Sequence, residues 1–170
     1  MVDLFEGLYL IRVLRPWHEN LSKRQIKVPK LYVRDSGILH ALLGIRSTGD
    51  LVSHPKAGAS WEGFIIEQAL RLFEPDDAAF WATHNGAELD LVLFKGEHRF
   101  GFEVKINPAP RISPSMRTAI KNLRLDHLWV VHPGDASWPL DVSITALAAK
   151  DMFRMHKEDL LTAYRTDSGS

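Results

Sequence analysis

The order of one helix and three strands between residues 60 and 106 constrains the fold more than any other feature of this sequence. Apolar residues recur at helical spacing over residues 60–73, and Pro75 ends that pattern. Three runs of strand character follow, separated by the turn sequences Asn85-Gly86 and Lys95-Gly96. These strands are predicted over residues 79–83, 88–94 and 99–106. A helix that leads into hairpin strands in this way predicts an α/β domain.

The flanking segments extend this core on both sides. Further strands are predicted over residues 8–14, 30–33, 127–131 and 142–147. Further helices are predicted over residues 38–43, 115–123 and 151–164. Residues 46–59 are largely polar and contain Pro55 and Gly58, which predicts a loop. The core order is therefore helix, three strands, helix, strand, and it predicts a mixed sheet.

The composition narrows the class of protein. The 170 residues are 45% hydrophobic and 25% charged, the balance of one soluble globular domain. The absence of cysteine excludes disulfides, a thiol nucleophile and cysteine-held metal sites. No run approaches the roughly 20 apolar residues that cross a bilayer, and the N-terminus lacks the pattern of a secretory signal. We therefore expect a cytoplasmic protein that does not bind a membrane.

Charge is balanced over the chain but not along it. The 21 basic residues equal the 21 acidic residues, yet a basic stretch runs from Arg12 to Arg34 with Trp17 and Tyr32 among its cations. Such a stretch can follow a phosphate backbone, although an ordinary solvated face gives the same pattern. The candidate nucleic-acid contacts are Arg12, Arg15, Lys23, Arg24, Lys27 and Lys30.

Two acids and a lysine on the predicted hairpin are the first candidates for chemistry. Strand alternation puts Asp90 on the face opposite Leu89, Leu91 and Leu93, and it puts Glu103 and Lys105 on one common face. If the two strands pair, Asp90 and Glu103 lie close together with Lys105 beside them. Two carboxylates can hold Mg²⁺, and a lysine can stabilise charge at phosphorus. Surface ion pairs across the strands explain the same residues.

Glu62 adds a third acid on the preceding helix. At about 100° per residue it falls within the apolar face of that helix, whereas Glu67, Arg71 and Glu74 fall on the solvated side. A carboxylate in an apolar face is costly unless it is hydrogen-bonded, paired or metal-bound. Glu62 is therefore predicted either to face a metal or to be a structural acid that is neutralised or paired with a lysine.

The set of Glu62, Asp90, Glu103 and Lys105, on helix, strand and strand in that order, resembles the PD-(D/E)xK nuclease superfamily. The resemblance implies the restriction-endonuclease-like fold and a catalytic site made of these four residues. It implies that Asp90, Glu103 and Glu62 hold Mg²⁺ (or Mn²⁺) and that Lys105 assists the attacking water. It also implies DNA as the substrate.

Three motif runs carry a closer resemblance: residues 16–24 (PWHENLSKR), 27–37 (KVPKLYVRDSG) and 58–64 (GASWEGF). They resemble the C-terminal domain of unknown function in prokaryotic AAA-type ATP-binding proteins, where an ATPase and a winged helix precede a nuclease-like domain. The resemblance implies that residues 1–27 are the end of the winged helix. It implies that residues 28–170 are the nuclease-like domain with a C-terminal docking helix.

Two functions are left open. The chain has no G-x-x-x-x-G-K-[ST] sequence, so ATPase activity does not carry over, and we expect a fragment or a shortened relative. One function is a Mg²⁺-dependent nuclease acting on DNA. The other is a non-catalytic DNA- or protein-binding regulatory domain of an ATPase. Dependence on Mg²⁺ identifies the enzyme, and steep salt dependence identifies binding to DNA phosphates.

Overall fold

A computed structural model describes residues 1–17 and 28–162. Within these ranges the helices are α1 (Val2–Gly7), α2 (Ser36–Leu42), α3 (Thr48–Ser53), α4 (Ala57–Phe73), α5 (Pro114–Leu123), α6 (Ala149–Met152) and α7 (Lys157–Thr162). The strands are β1 (Ile11–Leu14), β2 (Lys30–Val33), β3 (Asp77–Ala82), β4 (Glu88–Lys95), β5 (His98–Val104), β6 (His127–His132), β7 (Trp138–Asp141) and β8 (Ile144–Ala148).

The strands form one large mixed sheet and one small sheet. The large sheet has the order β3-β4-β5-β6-β8-β7. Neighbours are antiparallel from β3 to β5, parallel from β5 to β8, and antiparallel again between β7 and β8. The small sheet pairs β1 with β2 in antiparallel register. The predicted α/β class with a mixed sheet is therefore confirmed.

The large sheet buries both faces. On one face Ile65, Ile66 and Phe73 of α4 pack against side chains of the sheet such as Phe102 and Trp129. On the other face Met116, Ala119 and Leu123 of α5 pack against residues that include Leu89, Leu128 and Val130. The result is three layers, with the sheet between α4 and α5.

Helix α4 matches its prediction at its C-terminal end and begins earlier than predicted. Its buried residues recur at helical spacing, as they must to face the sheet. Glu74 ends the helix in the left-handed conformation, and its amide donates to the carbonyl of Leu70. The helix begins at Ala57, so part of the predicted loop is helical.

The predicted loop is also wrong over residues 48–53, where α3 lies, whereas residues 46–47 and 54–56 are not helical. The Ser47 side chain accepts a hydrogen bond from the Asp50 amide and caps this helix. The predicted strand over residues 8–14 is shorter than expected, since β1 begins at Ile11 and a turn after α1 occupies residues 8–10. A short capped helix and a strand end both depend on local hydrogen bonds that hydrophobic spacing does not record.

The C-terminal prediction is wrong in two places. The helix predicted over residues 151–164 is two short helices as far as residue 162, and residues 163–164 lie outside the described residues. The break occurs because Arg154 and Met155 donate to carbonyls only three residues back and close a tight turn. Strand β7 was not predicted, and it carries Pro139 at the edge of the sheet. At the opposite edge, Pro16 bridges the backbone of Phe80 on β3. None of the helices in the described ranges has the length and apolar character needed to cross a membrane.

Candidate active site

Three elements bring the predicted site residues together. Leu91 on β4 lies opposite Phe102 on β5, so Asp90 and Glu103 occupy the next position along the hairpin. The Val104 amide donates to Asp90 Oδ2 over 2.9 Å. Lys105 Nζ lies 2.6 Å from Glu103 Oε1. With Glu62 from α4, these carboxylates form what we call the acid cluster (Glu62, Asp90 and Glu103), and Lys105 lies beside it.

A bulge in β4 shapes the hairpin at Asp90. The register between β3 and β4 shifts between Ala79 and Trp81, so β4 carries an extra residue there. Leu89 consequently packs on the α5 face, while Leu91 and Leu93 pack on the α4 face. The prediction that these three leucines share one face is therefore wrong, because regular alternation is interrupted next to Asp90.

Trp61 ties α4 to the strand that carries Glu103. Its indole Nε1 donates to the carbonyl of Lys105 over 3.1 Å. The Lys105 amide in turn donates to the carbonyl of Val131 on β6. Because Glu62 follows Trp61 directly, this anchor fixes the start of α4 against the end of β5.

Lys30 of the small sheet reaches into the acid cluster. Its ammonium lies 3.1 Å from Glu62 Oε1 and 3.4 Å from Asp90 Oδ1. It also lies 2.6 Å from Glu88 Oε1. The prediction that Lys30 contacts nucleic acid stays a prediction, but its positive charge is engaged with three carboxylates of the chain. The alternative of a lysine-paired Glu62 is the one that the structure contains.

Tyr32 lies two residues further along β2 and also binds Glu62. Its hydroxyl donates to Glu62 Oε1. Burial, the hydrogen bond to Glu62 and the surrounding negative charges raise the pKa of Tyr32, so the hydroxyl keeps its proton. Gly63 permits this approach, since a Cβ at that position would lie 3.0 Å from Tyr32 Cδ1. Lys30 and Tyr32 together fix Glu62 from the side of the small sheet.

The two strand acids lie in an environment that opposes their ionisation. Burial and the charge of Asp90 raise the pKa of Glu103 to about 7, against the favourable hydrogen bond from Lys105. Burial and the charge of Glu62 likewise raise the pKa of Asp90, although the Val104 amide and the two lysines oppose this. Glu103 therefore titrates near neutral pH.

The two lysines are held in their charged form. Burial would lower the pKa of Lys30, but the hydrogen bond to Glu88 and the charges of Asp90, Glu62 and Glu88 outweigh it and raise that pKa. Burial would also lower the pKa of Lys105, but the hydrogen bond to Glu103 and the charges of the neighbouring carboxylates outweigh it and raise that pKa. Both ammonium groups are positive throughout the physiological pH range.

An ion-pair clamp holds the small sheet on α4. Glu67 accepts from Arg12 Nε of β1 at 2.6 Å and from Arg34 Nε, directly after β2, at 2.9 Å, so it ties the small sheet to one helix. The Glu67 side chain is only 10% exposed, and the prediction that it is a solvated charge is wrong. This clamp sets the position from which Lys30 and Tyr32 extend.

The other predicted nucleic-acid contacts are dispersed. Arg12 lies in the clamp, and Arg15 is exposed, with its guanidinium 3.9 Å from Glu6. Lys23, Arg24 and Lys27 lie outside the described residues. A groove of about 1170 Å³ lies between the small sheet and α4, and Arg12 lines it together with Tyr9 and Arg34. The residues of the acid cluster do not line that groove.

The acid cluster as arranged does not fit a divalent cation. Across residues 1–17 and 28–162, no group of three or more His, Asp or Glu side chains is placed to hold a metal ion. The physical reason is visible in the contacts: Lys30 lies between Glu62 and Asp90, and Lys105 binds Glu103. The chemistry of the carboxylates suits Mg²⁺, but their present partners are ammonium groups.

Lys30 and Tyr32 were not identified as partners of the acid cluster from the sequence. A signal for them exists, because the spacing Lys30-x-Tyr32 on a strand puts both side chains on one face. That signal does not say which of the carboxylates they meet. The sequence identified Trp61 only as an apolar residue of the helix, and nothing in the sequence predicted that its indole N–H donates to the carbonyl of Lys105.

Comparison with known proteins identifies two families, both of unknown function. Residues 57–152 match the family described as Domain of unknown function (DUF4143), and residues 1–49 match the one described as Domain of unknown function (DUF8612). The predicted assignment to a domain of unknown function is confirmed. Kinship with the nuclease superfamily stays a prediction, as does a domain boundary after residue 27.

Two similar proteins are uncharacterized proteins of Mycobacterium tuberculosis and Mycobacterium bovis. Each is 41% identical to this chain over 162 residues, which is 95% of the chain. The chain spans 37% of the length of each. No solved structure matches the chain.

Proposed function

Because the chain belongs to the DUF4143 family, we propose that its acid cluster, with Lys105, hydrolyses phosphodiester bonds in DNA. One observation carries the proposal: the helix acid, the two strand acids and the lysine lie together at the junction of α4, β4 and β5. Glu62 and Lys105 are 43 residues apart in the sequence, so only the fold brings them together. We also propose that the domain has the restriction-endonuclease-like fold.

The residues of the site suit attack on phosphorus. Glu103 is buried 2.6 Å from Lys105, and together with Asp90 and Glu62 it would hold a divalent cation, which would supply a more acidic water molecule whose proton passes to solvent. The water oxygen then forms a bond to phosphorus, the bond to the leaving sugar oxygen breaks, and that oxygen takes up a proton from solvent. The Lys105 ammonium, 2.6 Å from Glu103, stabilises the negative charge that develops on the phosphoryl oxygens.

The test is cleavage of labelled duplex, single-stranded and branched DNA by the purified chain in saturating Mg²⁺ or Mn²⁺. We expect cleavage that EDTA abolishes. Glu103→Gln and Lys105→Met should each slow it by about 100-fold or more, because they remove a carboxylate that would hold the cation and the charge that stabilises the phosphoryl oxygens.

The matched control is Glu97→Gln, which changes an exposed acid at the far end of the same hairpin. It should cleave at the rate of the unsubstituted chain. Equal rates for Glu103→Gln and Glu97→Gln would contradict the proposed roles. Absence of cleavage on every substrate, by a folded chain that binds the metal, would contradict catalysis by this chain.

A second candidate is a non-catalytic binding domain of an ATPase. The observation that favours it is that each carboxylate of the acid cluster already bonds to a lysine of the chain itself. In this alternative an AAA-type ATPase, which a winged helix separates from this domain in a longer cytoplasmic protein, supplies the energy, and this domain holds DNA or a protein. DNA binding without cleavage, weakening steeply as salt rises, would support it.

A further inference from the structure

We infer that Lys30 occupies the cation position of the acid cluster and that a divalent cation binds there only by displacing it. The inference rests on the proposed site, since it concerns how that site is opened. It accounts for the mismatch between an acid cluster suited to a metal and an arrangement that does not hold one.

The contacts leave no room for both cations. The Lys30 ammonium lies 3.1 Å from Glu62 and 3.4 Å from Asp90, so it uses the oxygens that would face a metal. A magnesium ion requires carboxylate oxygens at about 2.1 Å in near-octahedral geometry. An ion bound to both carboxylates would lie against the ammonium, and two positive charges in a site sheltered from water repel each other strongly.

Lys30 is delivered to this position by the small sheet. Strand β2 is paired with β1 over four residue pairs, and the clamp at Glu67 fixes both strands to α4. Tyr32, from the same strand face, binds Glu62 at the same time. The closed state is therefore a property of how the small sheet docks.

The contact is also able to open. The Lys30 side chain is 24% exposed, and its partner Glu88 is 47% exposed, so the ammonium has a path to solvent. A lysine has a flexible four-carbon stem, and rotation about it moves the charge without unfolding the strand. When the ammonium leaves, Glu62, Glu88 and Asp90 lose their shared positive partner, and this uncompensated negative charge favours a divalent cation.

Mn²⁺ binding by the full chain tests the inference directly, measured as loss of the free Mn²⁺ signal in electron paramagnetic resonance. Lys30→Met keeps an unbranched side chain of similar length and removes its charge. We expect this variant to bind Mn²⁺ about 10-fold or more tightly than the unsubstituted chain. The double variant Lys30→Met/Asp90→Asn should lose the gain.

Lys95→Met is the matched control, because Lys95 is a similarly shielded lysine whose ammonium lies 3.8 Å from Asp76, away from the acid cluster. It should bind Mn²⁺ like the unsubstituted chain. Equal affinity of Lys30→Met and the unsubstituted chain, whether tight or weak, would overturn the inference.

A second measurement needs no substitution and so does not depend on a variant that folds. In a ¹⁵N NMR titration with Mg²⁺, the Lys30 ammonium signal should shift in step with the amide signals of Asp90 and Glu103, while that of Lys95 stays in place. Movement of the Asp90 and Glu103 signals with Lys30 unchanged would contradict displacement. Both measurements are independent of cleavage, so a Lys30→Met chain that binds Mn²⁺ tightly but cuts no DNA would contradict the proposed function alone.

Discussion

His132 is a buried histidine, away from the acid cluster, whose protonation is coupled to folding. It is fully buried at the end of β6, its Nδ1 accepts from the Gly134 amide, and its Nε2 has no hydrogen-bond partner among the described residues. Burial lowers the pKa of His132, and the charge of Asp151 opposes this. The imidazole is therefore held neutral in the folded chain.

We expect His132 to make the protein less stable in mild acid. Above pH 6.5 the imidazole is neutral in both the folded and the unfolded chain. As the pH falls below 6.5, the unfolded chain takes up a proton that the folded chain excludes, so the free energy of unfolding decreases. His132→Asn retains an acceptor for the Gly134 amide and has no imidazole to protonate. On acidification its free energy of unfolding should therefore fall less than that of the unsubstituted chain.

Urea denaturation at pH 5.5 and pH 7.5 measures this difference. His84→Asn, at an exposed position, is the control and should lose as much stability between pH 7.5 and pH 5.5 as the unsubstituted chain. An equal loss in the His132→Asn chain and the unsubstituted chain would contradict the assignment.

Which residues form the candidate site was predictable at the residue scale, but their partners were not. Glu62 stood out because an acid in an apolar helix face needs a partner. The sequence left a metal and a lysine as alternatives, and nothing local distinguishes Lys30 from the other cations of the basic stretch. Lys30 and Asp90 are 60 residues apart, so their contact depends on how two sheets dock.

At the scale of elements, the clamp between the small sheet and α4 is the feature that organises the site. Glu67 joins Arg12 of β1 and Arg34, which follows β2, to the helix that carries Glu62. Removing the charge of Glu67 leaves two partly buried guanidinium groups without their shared partner, which is costly.

We expect Glu67→Gln to lower the free energy of unfolding by about 2 kcal/mol. Glu74→Gln is the control at the end of the same helix, where the Lys157 pair is exposed, and it should change stability by less than about 0.5 kcal/mol. Thermal or urea unfolding of both variants measures the contrast. Equal effects of the two substitutions would contradict a structural role for the clamp.

Long elements were predictable and short ones were not. Helix α4 has 17 residues, with buried side chains at helical spacing, and β4 and β5 are joined by a glycine turn. By contrast, α3 has six residues and depends on the Ser47 cap, and β7 has four residues, one of which is a proline. Periodicity needs several repeats to be recognised, so elements of one turn escape it.

At the scale of the molecule, the small sheet crosses the predicted domain boundary after residue 27. Strand β1 lies before that boundary and β2 lies after it, yet they pair with each other. Leu14 of β1 is 2% exposed and belongs to the core on the α4 face of the large sheet. Topology of this kind joins distant segments, which spacing along the sequence does not reveal.

We therefore expect a chain of residues 28–170 to be less stable than the full chain by about 3 kcal/mol or more, because it loses Leu14 from the core and the partner of β2. A chain of residues 8–170 is the control, since α1 contains no buried residue, and it should lose less than about 1 kcal/mol. Urea unfolding compares the three chains. Equal stability of the 28–170 chain and the full chain would show that residues 28–170 form an independent domain.

The two edge strands of the large sheet, β3 and β7, affect how readily the protein can associate with itself. An open sheet edge offers unpaired backbone groups to a second molecule, and proline blocks such pairing because it has no amide hydrogen. At one edge Pro139 lies within β7, and at the other the backbone of Phe80 is already bonded to residues 15 and 17. Each edge strand of the large sheet therefore carries one local obstacle to pairing with a second molecule, and these obstacles act against edge-to-edge aggregation.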